Sequence, residues 1–171
     1  MYLIQLMILA LVAFAPQNRK PMASEKNITV TSPAFEHQGN IPQRFTCDGE
    51  DVNPEIRISN LPENTKTLAL IVDDPDAPAG TWVHWVVWNI KPSEKIAENS
   101  SPGQTGTNDF KKKSYGGPCP PPGKPHRYFF KVYALDAVLD LPAGSSKAEL
   151  EKAMQNHVLA QSELVGLYQQ K

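Results

Sequence analysis

The chain has 171 residues and 40% of them are hydrophobic, enough for one domain with a packed core, so wholesale disorder is excluded. Its 17 Lys and Arg stand against 18 Asp and Glu, a net charge of −1, which lacks the basic excess of a general nucleic-acid binder. The 16 prolines argue against an all-helical bundle, and 2 cysteines are too few for a disulfide scaffold or a structural zinc site.

Residues 1–15 (MYLIQLMILALVAFA) carry no charge and are almost entirely apolar, the length of a signal-peptide hydrophobic region. The run is shorter than the roughly 18–20 apolar residues of a transmembrane helix. No Lys or Arg precedes it, Arg19 and Lys20 follow it, and Pro16 follows the Ala13-Phe14-Ala15 site. Residues 1–26 are expected to be a signal peptide and linker, with a periplasmic or secreted product. The alternative is translation from Met22 and a cytoplasmic protein. Residues 27–171 are expected to form the single domain.

Within that body, Asn27–Thr31 reads as a short strand, and Ser32–Pro54 is rich in Pro and Gly and reads as loop. Thr67–Val72 (TLALIV) and Trp82–Ile90 (WVHWVVWNI) are near-continuous apolar runs of the kind that form strands buried on both faces. Pro92 to Pro125 has few regular signals, and a loop this long in a compact domain is usually functional. Arg127–Asp136 (RYFFKVYALD) is a third strong strand. Ser146 with Glu149 spells a capping box. After it, Leu150, Ala153, Met154, His157, Val158, Leu164, Val165 and Tyr168 recur with helical spacing. Glu149–Leu167 is therefore expected to be mainly helical, with a break near His157–Ala160. The expected fold is mainly β, an antiparallel β-sandwich with peripheral C-terminal helices.

Four polar clusters stand out: Asp73-Asp74-Pro75-Asp76-Ala77-Pro78, His84 among Trp82, Trp85 and Trp88, the loop from Tyr115 to Gly123, and Pro125-His126-Arg127-Tyr128. Each has an ordinary reading. Asp before Pro makes turns, a His among tryptophans packs in cores, and a Pro/Gly run stiffens a loop. Together they make one ordered pattern: Asp74-Pro-Asp-Ala-Pro78, Trp82-Val-His-Trp-Val-Val-Trp-Asn89, Thr107-Asn-Asp-Phe110, Gly116-Gly-Pro-Cys-Pro-Pro-Pro-Gly123 and His126-Arg-Tyr-Phe129. With Phe45-Thr-Cys-Asp-Gly49 and His157-Val-Leu-Ala160, this pattern resembles the phosphatidylethanolamine-binding protein family, in its bacterial and archaeal branch of Raf-kinase-inhibitor-like proteins.

The resemblance implies a large β-sandwich and a small surface pocket for anions, notably phosphate head groups. Carried over residue by residue, the ligand-binding set is Asp74, His84, Gly117, Pro118 and His126, with Tyr115, Asp76 and Tyr128 beside it. It implies a non-enzymatic binder of phosphate, a phosphorylated small molecule or a phospholipid head group, without cofactor or metal and without nucleic acid, and a homodimer. An inhibitor of a kinase or serine protease is the alternative role. Cys47 and Cys119 fall in loops that the resemblance places near the pocket mouth. They are expected to lie close enough to pair, with Cα atoms under about 7 Å. Two small packed thiols are the alternative. The chain departs from the family where Lys111-Lys112-Lys113-Ser114 follows Asn-Asp-Phe, a place where glycines are common; this leaves the shape and charge of the rim open.

The chemistry of these residues suits an anion. Two histidines can donate hydrogen bonds, and a protonated one gives a charge-assisted bond. Prolines have no N–H, so the backbone donors near the loop tip are Gly117, Cys119, Gly123 and Lys124. Asp74 repels phosphate, and it fits the site by orienting a histidine or by meeting the ammonium end of ethanolamine. Affinity is expected to be micromolar to millimolar and to strengthen as pH falls near 6.5. Two enzyme readings stay open. One is a thiol hydrolase of Cys119 with His126 or His84 and an aspartate; the other is a metal site of His84, His126, Asp74 and Asp76. Lys111–Lys113 reads as a solvated loop rather than a nucleic-acid patch.

Overall fold

The computed structural model describes residues 28–170, so the signal peptide and the Met22 start fall outside the described residues. In chain order the strands are β1 (Thr29–Thr31), β2 (Gly39–Asn40), β3 (Ile56–Ser59), β4 (Thr67–Asp74), β5 (Trp82–Ile90), β6 (Lys95–Ile96), β7 (Gln104–Thr105), β8 (His126–Leu135) and β9 (Val158–Tyr168). One helix, α1 (Lys147–Ala153), precedes β9, and a 3-10 turn spans Gln43–Phe45. The strands form a small sheet in the order β1-β3-β6 and a large one in the order β2-β9-β8-β4-β5-β7. Pairing is antiparallel except for the two-residue ladder of β2 with β9.

The layers explain the apolar runs. Ile56, Ile58 and Ile96 of the small sheet share one core with Leu70, Val72 and Phe130 of the large sheet. On the other face of the large sheet, Leu150 and Met154 cover Ala69, Ile71, Val86 and Trp88. Strand β4 is thus enclosed on both faces and buried at every position, which is why its sequence does not alternate. β1, β4, β5 and β8 form where the sequence predicts them, within two residues at each end. β3 is an additional strand, a four-residue Ile-Arg-Ile-Ser alternation too short to stand out between loops.

The C-terminal helices are corrected. The capping box forms as expected: Ser146 N–H donates to Glu149 Oε2 at 2.7 Å, and Ser146 Oγ accepts from the Glu149 N–H. The helix it starts lasts only seven residues, and Asn156 then turns the chain at φ 67°. Val158–Tyr168 is strand, not helix, paired with β8 from Leu135↔Val158 to His126↔Tyr168. Leu164 packs into the inter-sheet core while its neighbour Val165 is buried on the other face. Consecutive residues buried on opposite faces belong to a strand, and the helical spacing arises by joining a short true helix to that strand. Gly166 fits this placement, since a Cβ there would lie 2.5 Å from Ile41 Cγ1.

Candidate functional site

Three neighbouring strands of the large sheet bring the site residues to one end. Asp74 closes β4, His126 opens β8, and His84 stands near the start of β5. Alternation along β4 puts Asp74 on the same face as Leu70 and Val72, and along β8 it puts His126 on the face of Tyr128 and Phe130. This is the inter-sheet face, just past the apolar layer. A break in the β4–β5 register between Val72 and Asp73 marks the same end. The neighbouring Asp73 faces the opposite side, ion-paired to Lys131 at 2.8 Å and Lys147 at 2.5 Å.

Asp74, His84 and His126 line a cleft of about 200 Å³, walled by Trp82, Phe110, Pro120 and Pro121. A larger groove of about 470 Å³ lies over the outer face of β8 and β9, along Lys131, Tyr133 and Glu163. It contains none of the sequence-predicted residues. The smaller cleft is the candidate, because buried titratable side chains converge there.

Both imidazoles are held by Nδ1. His84 Nδ1 lies 2.7 Å from the Gly116 carbonyl, and His126 Nδ1 lies 2.8 Å from Asp74 Oδ2. A carbonyl and a carboxylate only accept, so each Nδ1 carries the proton and donates. Nε2 is then the remaining hydrogen-bonding atom of each ring, an acceptor when the ring is neutral and a donor when it is charged. The His84 ring is packed edge-on between Phe110 and Tyr128, with centroids at 5.3 and 5.2 Å. Burial pushes its pKa below the ordinary 6.5, against the opposing pull of the Gly116 carbonyl and Asp74. His84 is therefore neutral at pH 7, and its share of any pH-dependent binding comes at lower pH than an unperturbed histidine would give. Asp74 orients His126 with one oxygen and accepts the Asp76 N–H at 2.8 Å with the other.

The other predicted residues support this floor from behind or at the rim. Asp76 grips Arg127 with both oxygens, at 2.9 and 2.7 Å, and the hydrogen-bonded guanidinium lowers its pKa to about 2. That pair fastens the Asp74–Pro78 turn to the start of β8. Tyr128 is fully buried under His84. Burial and the nearby Asp74 charge push its hydroxyl pKa up, and the hydroxyl has no well-aligned hydrogen-bond partner among the described residues. Tyr115 is buried and donates to the Phe45 carbonyl at 2.9 Å. The Gly117 N–H, expected to be a donor for ligand, is instead spent on Asp51 Oδ1 at 2.6 Å, and the Pro118 carbonyl accepts from Cys47 N–H at 3.1 Å. Asp76, Gly117, Pro118, Tyr115 and Tyr128 are absent from the cleft lining.

Two wall residues go beyond the sequence reading. Trp82, expected with Trp85 and Trp88 to be core, is instead half-buried and lines the cleft, while Trp85 and Trp88 are core. Phe110 meets Trp82 edge-on at 5.5 Å and His84 at 5.3 Å. Its place beside three lysines is the signal that masks it as a wall residue.

Cys47 and Cys119 are joined by a disulfide, with Cα atoms 5.4 Å apart. Both cysteines of the chain are used in it, so a hydrolase acting through Cys119 has no free thiol. Among the described residues no group of three or more His, Cys, Asp or Glu side chains is arranged to hold a metal ion.

The family described as phosphatidylethanolamine-binding protein matches residues 31–169. A UPF0098 protein of Pyrococcus horikoshii is 48% identical over 157 residues, covering 86% of this chain and 79% of its own. A UPF0098 protein of Archaeoglobus fulgidus is 45% identical over 168 residues, and the match spans 94% of this chain but 56% of that longer one. Among solved structures, a phosphatidylethanolamine-binding protein homologue from Chlamydia trachomatis superposes with a TM-score of 0.82 at 37% identity, covering 85% of this chain and 99% of its own. Escherichia coli YbcL, a member of the mammalian PEBP family, superposes with a TM-score of 0.78 at 31% identity, covering 85% and 99%.

Proposed function

The chain belongs to the phosphatidylethanolamine-binding protein family, and on that premise we propose that it is a non-enzymatic binder whose cleft takes the phosphate of a phosphorylated small molecule or lipid head group. One observation carries the reading: two imidazoles, each tied at Nδ1 to a fixed acceptor, stand in one small cleft with Nε2 left for a ligand. A carboxylate and two neutral rings alone would repel an anion. The cleft becomes an anion site when Nε2 donates, and His84, neutral at pH 7, takes up a proton to do so. A ligand that keeps a phosphate O–H can instead donate to a neutral Nε2.

The binder reading is also supported by what lines the cleft. Its floor and walls are imidazole, carboxylate, aromatic rings and prolines, with Cys119 oxidised, so no activated hydroxyl or thiol nucleophile is among them. The disulfide supports the periplasmic or secreted location, because such bonds persist in oxidising compartments.

Titration with inorganic phosphate and with phosphoethanolamine, followed by NMR of the histidine rings at two pH values, tests the proposal. The expected result is micromolar to millimolar affinity that strengthens at the lower pH. His84→Ala or His126→Ala should weaken binding about 10- to 100-fold, the worth of one charge-assisted hydrogen bond. Each variant should stay folded. If neither ring responds at millimolar ligand, the anion cleft is wrong.

A further inference from the structure

We infer that the cleft selects phosphorylated ligands whose emerging part is negatively charged, and disfavours those with an ammonium group there. The inference rests on the phosphate reading of the cleft. A cleft of about 200 Å³ has room for a phosphate and a few further atoms, so the rest of any ligand leaves through the mouth. Two loops that supply cleft walls carry cations next to the lining residues. Lys111 and Lys112 directly follow Phe110 of one wall, and Lys124 follows the Pro120–Pro121 wall and precedes His126 by two residues. All three are exposed. The ion pairs among the described residues involve Arg44, Arg57, Arg127, Lys131, Lys147, His126 and His157, not these lysines.

The nearby acids offset this charge only in part. Asp76 is neutralised by Arg127 at 2.7 Å, and Asp74 is turned to His126. Asp109, which accepts the Val83 N–H at 2.7 Å, and Asp51, which accepts the Gly117 N–H at 2.6 Å, leave two negative charges against the three lysines. The turn that presents them is built in. Buried Asn108 bonds the Lys112 N–H through Oδ1 at 2.9 Å and the His84 carbonyl through Nδ2 at 3.0 Å, and Lys111 sits at φ 63°. The same asparagine thus anchors the lysine turn to the strand that carries the cleft histidine. Against a chain of net charge −1, this is a local positive field at the exit.

Phosphoglycolate and phosphoethanolamine test the inference, since they share a phosphate and a two-carbon tail and differ in tail charge. Inorganic phosphate is titrated in parallel. At low salt phosphoglycolate is expected to bind about tenfold tighter than phosphoethanolamine, an edge that shrinks as salt screens the exposed lysines. The combined variant Lys111→Asn, Lys112→Ser, Lys124→Ser should erase the preference and weaken inorganic phosphate less than it weakens phosphoglycolate, with asparagine chosen because it tolerates the left-handed backbone. Single variants should each remove part of it. Equal binding of the two probes, a preference for phosphoethanolamine, or a preference that survives in the combined variant would overturn the inference while phosphate binding stood. Failure of phosphate itself to bind would overturn the cleft reading and the inference together.

Discussion

His84 makes the protein's stability depend on pH in a definite direction. Its folded pKa is lowered by burial, while in the unfolded chain it titrates near 6.5. Above that value both states are neutral and the residue contributes no pH dependence. As pH falls from about 6.5 through the lowered folded value, the unfolded state binds the proton first and stability drops. His84→Gln should therefore flatten the loss of stability between neutral and mildly acidic pH, measured as the urea midpoint against pH. Phosphate should also protect the parent protein more on the acid side, because an anion favours the charged ring. A steeper acid loss in His84→Gln than in the parent would contradict this. Gly117 gives a second prediction at the same scale. A Cβ there would lie 2.5 Å from the Phe45 carbonyl oxygen and 2.8 Å from Thr46 Cα, both backbone atoms with little freedom to move. Gly117→Ala should cost about 1–3 kcal/mol by overpacking, read by denaturant unfolding. Phosphate affinity of the folded variant should suffer less than in His126→Ala, since the Gly117 N–H already serves Asp51.

Among the elements, the Cys47–Cys119 link joins the segment after the 3-10 turn to the proline wall across a separation of 72 residues. Reducing it should lower stability by about 2–4 kcal/mol, seen as a drop in the denaturant midpoint with reductant. It should also weaken phosphate binding, because Cys119, Pro120 and Pro121 form one side of the cleft. Unchanged affinity in the reduced protein would show that the wall holds without the link. Elements differ in how far the sequence discloses them. β4, β5 and β8 are legible because enclosure on both faces leaves long apolar runs rich in β-branched and aromatic residues. β9 is not, because its main partner is β8, more than twenty residues away in the chain, and nothing local records that pairing. Its spacing continues the stripe of α1 by coincidence, and the turn at Asn156 between them carries a weak signal. Within the site, Asp74, His84 and His126 are legible from motif order. The burial of the Gly117 N–H depends on Asp51, which lies outside the quoted motifs, and the wall role of Phe110 depends on how the Asn108 turn folds, which the Thr107–Phe110 motif marks without disclosing.

At the scale of the whole molecule, the large sheet receives one of its two central strands late. β8 lies between β4 and β9, so the interior of the sheet joins residues 67–74 to residues 126–135. A chain ended after residue 125 would leave β4 without β8 and the inter-sheet core without Tyr128, Phe130, Val132 and Leu164. That fragment should show no cooperative unfolding transition, whereas the full chain should show one; a cooperative melt of the fragment would mean that the small sheet with β4 and β5 folds alone. The same topology governs what happens at the ribosome. While the first 125 residues emerge, β4 and β5 wait with apolar surface uncovered, and no native sheet can close around them until nearly all of the polypeptide has been made. The nascent chain therefore keeps its apolar strands uncovered through most of its synthesis, and the sheet closes only when β8 and β9 have arrived.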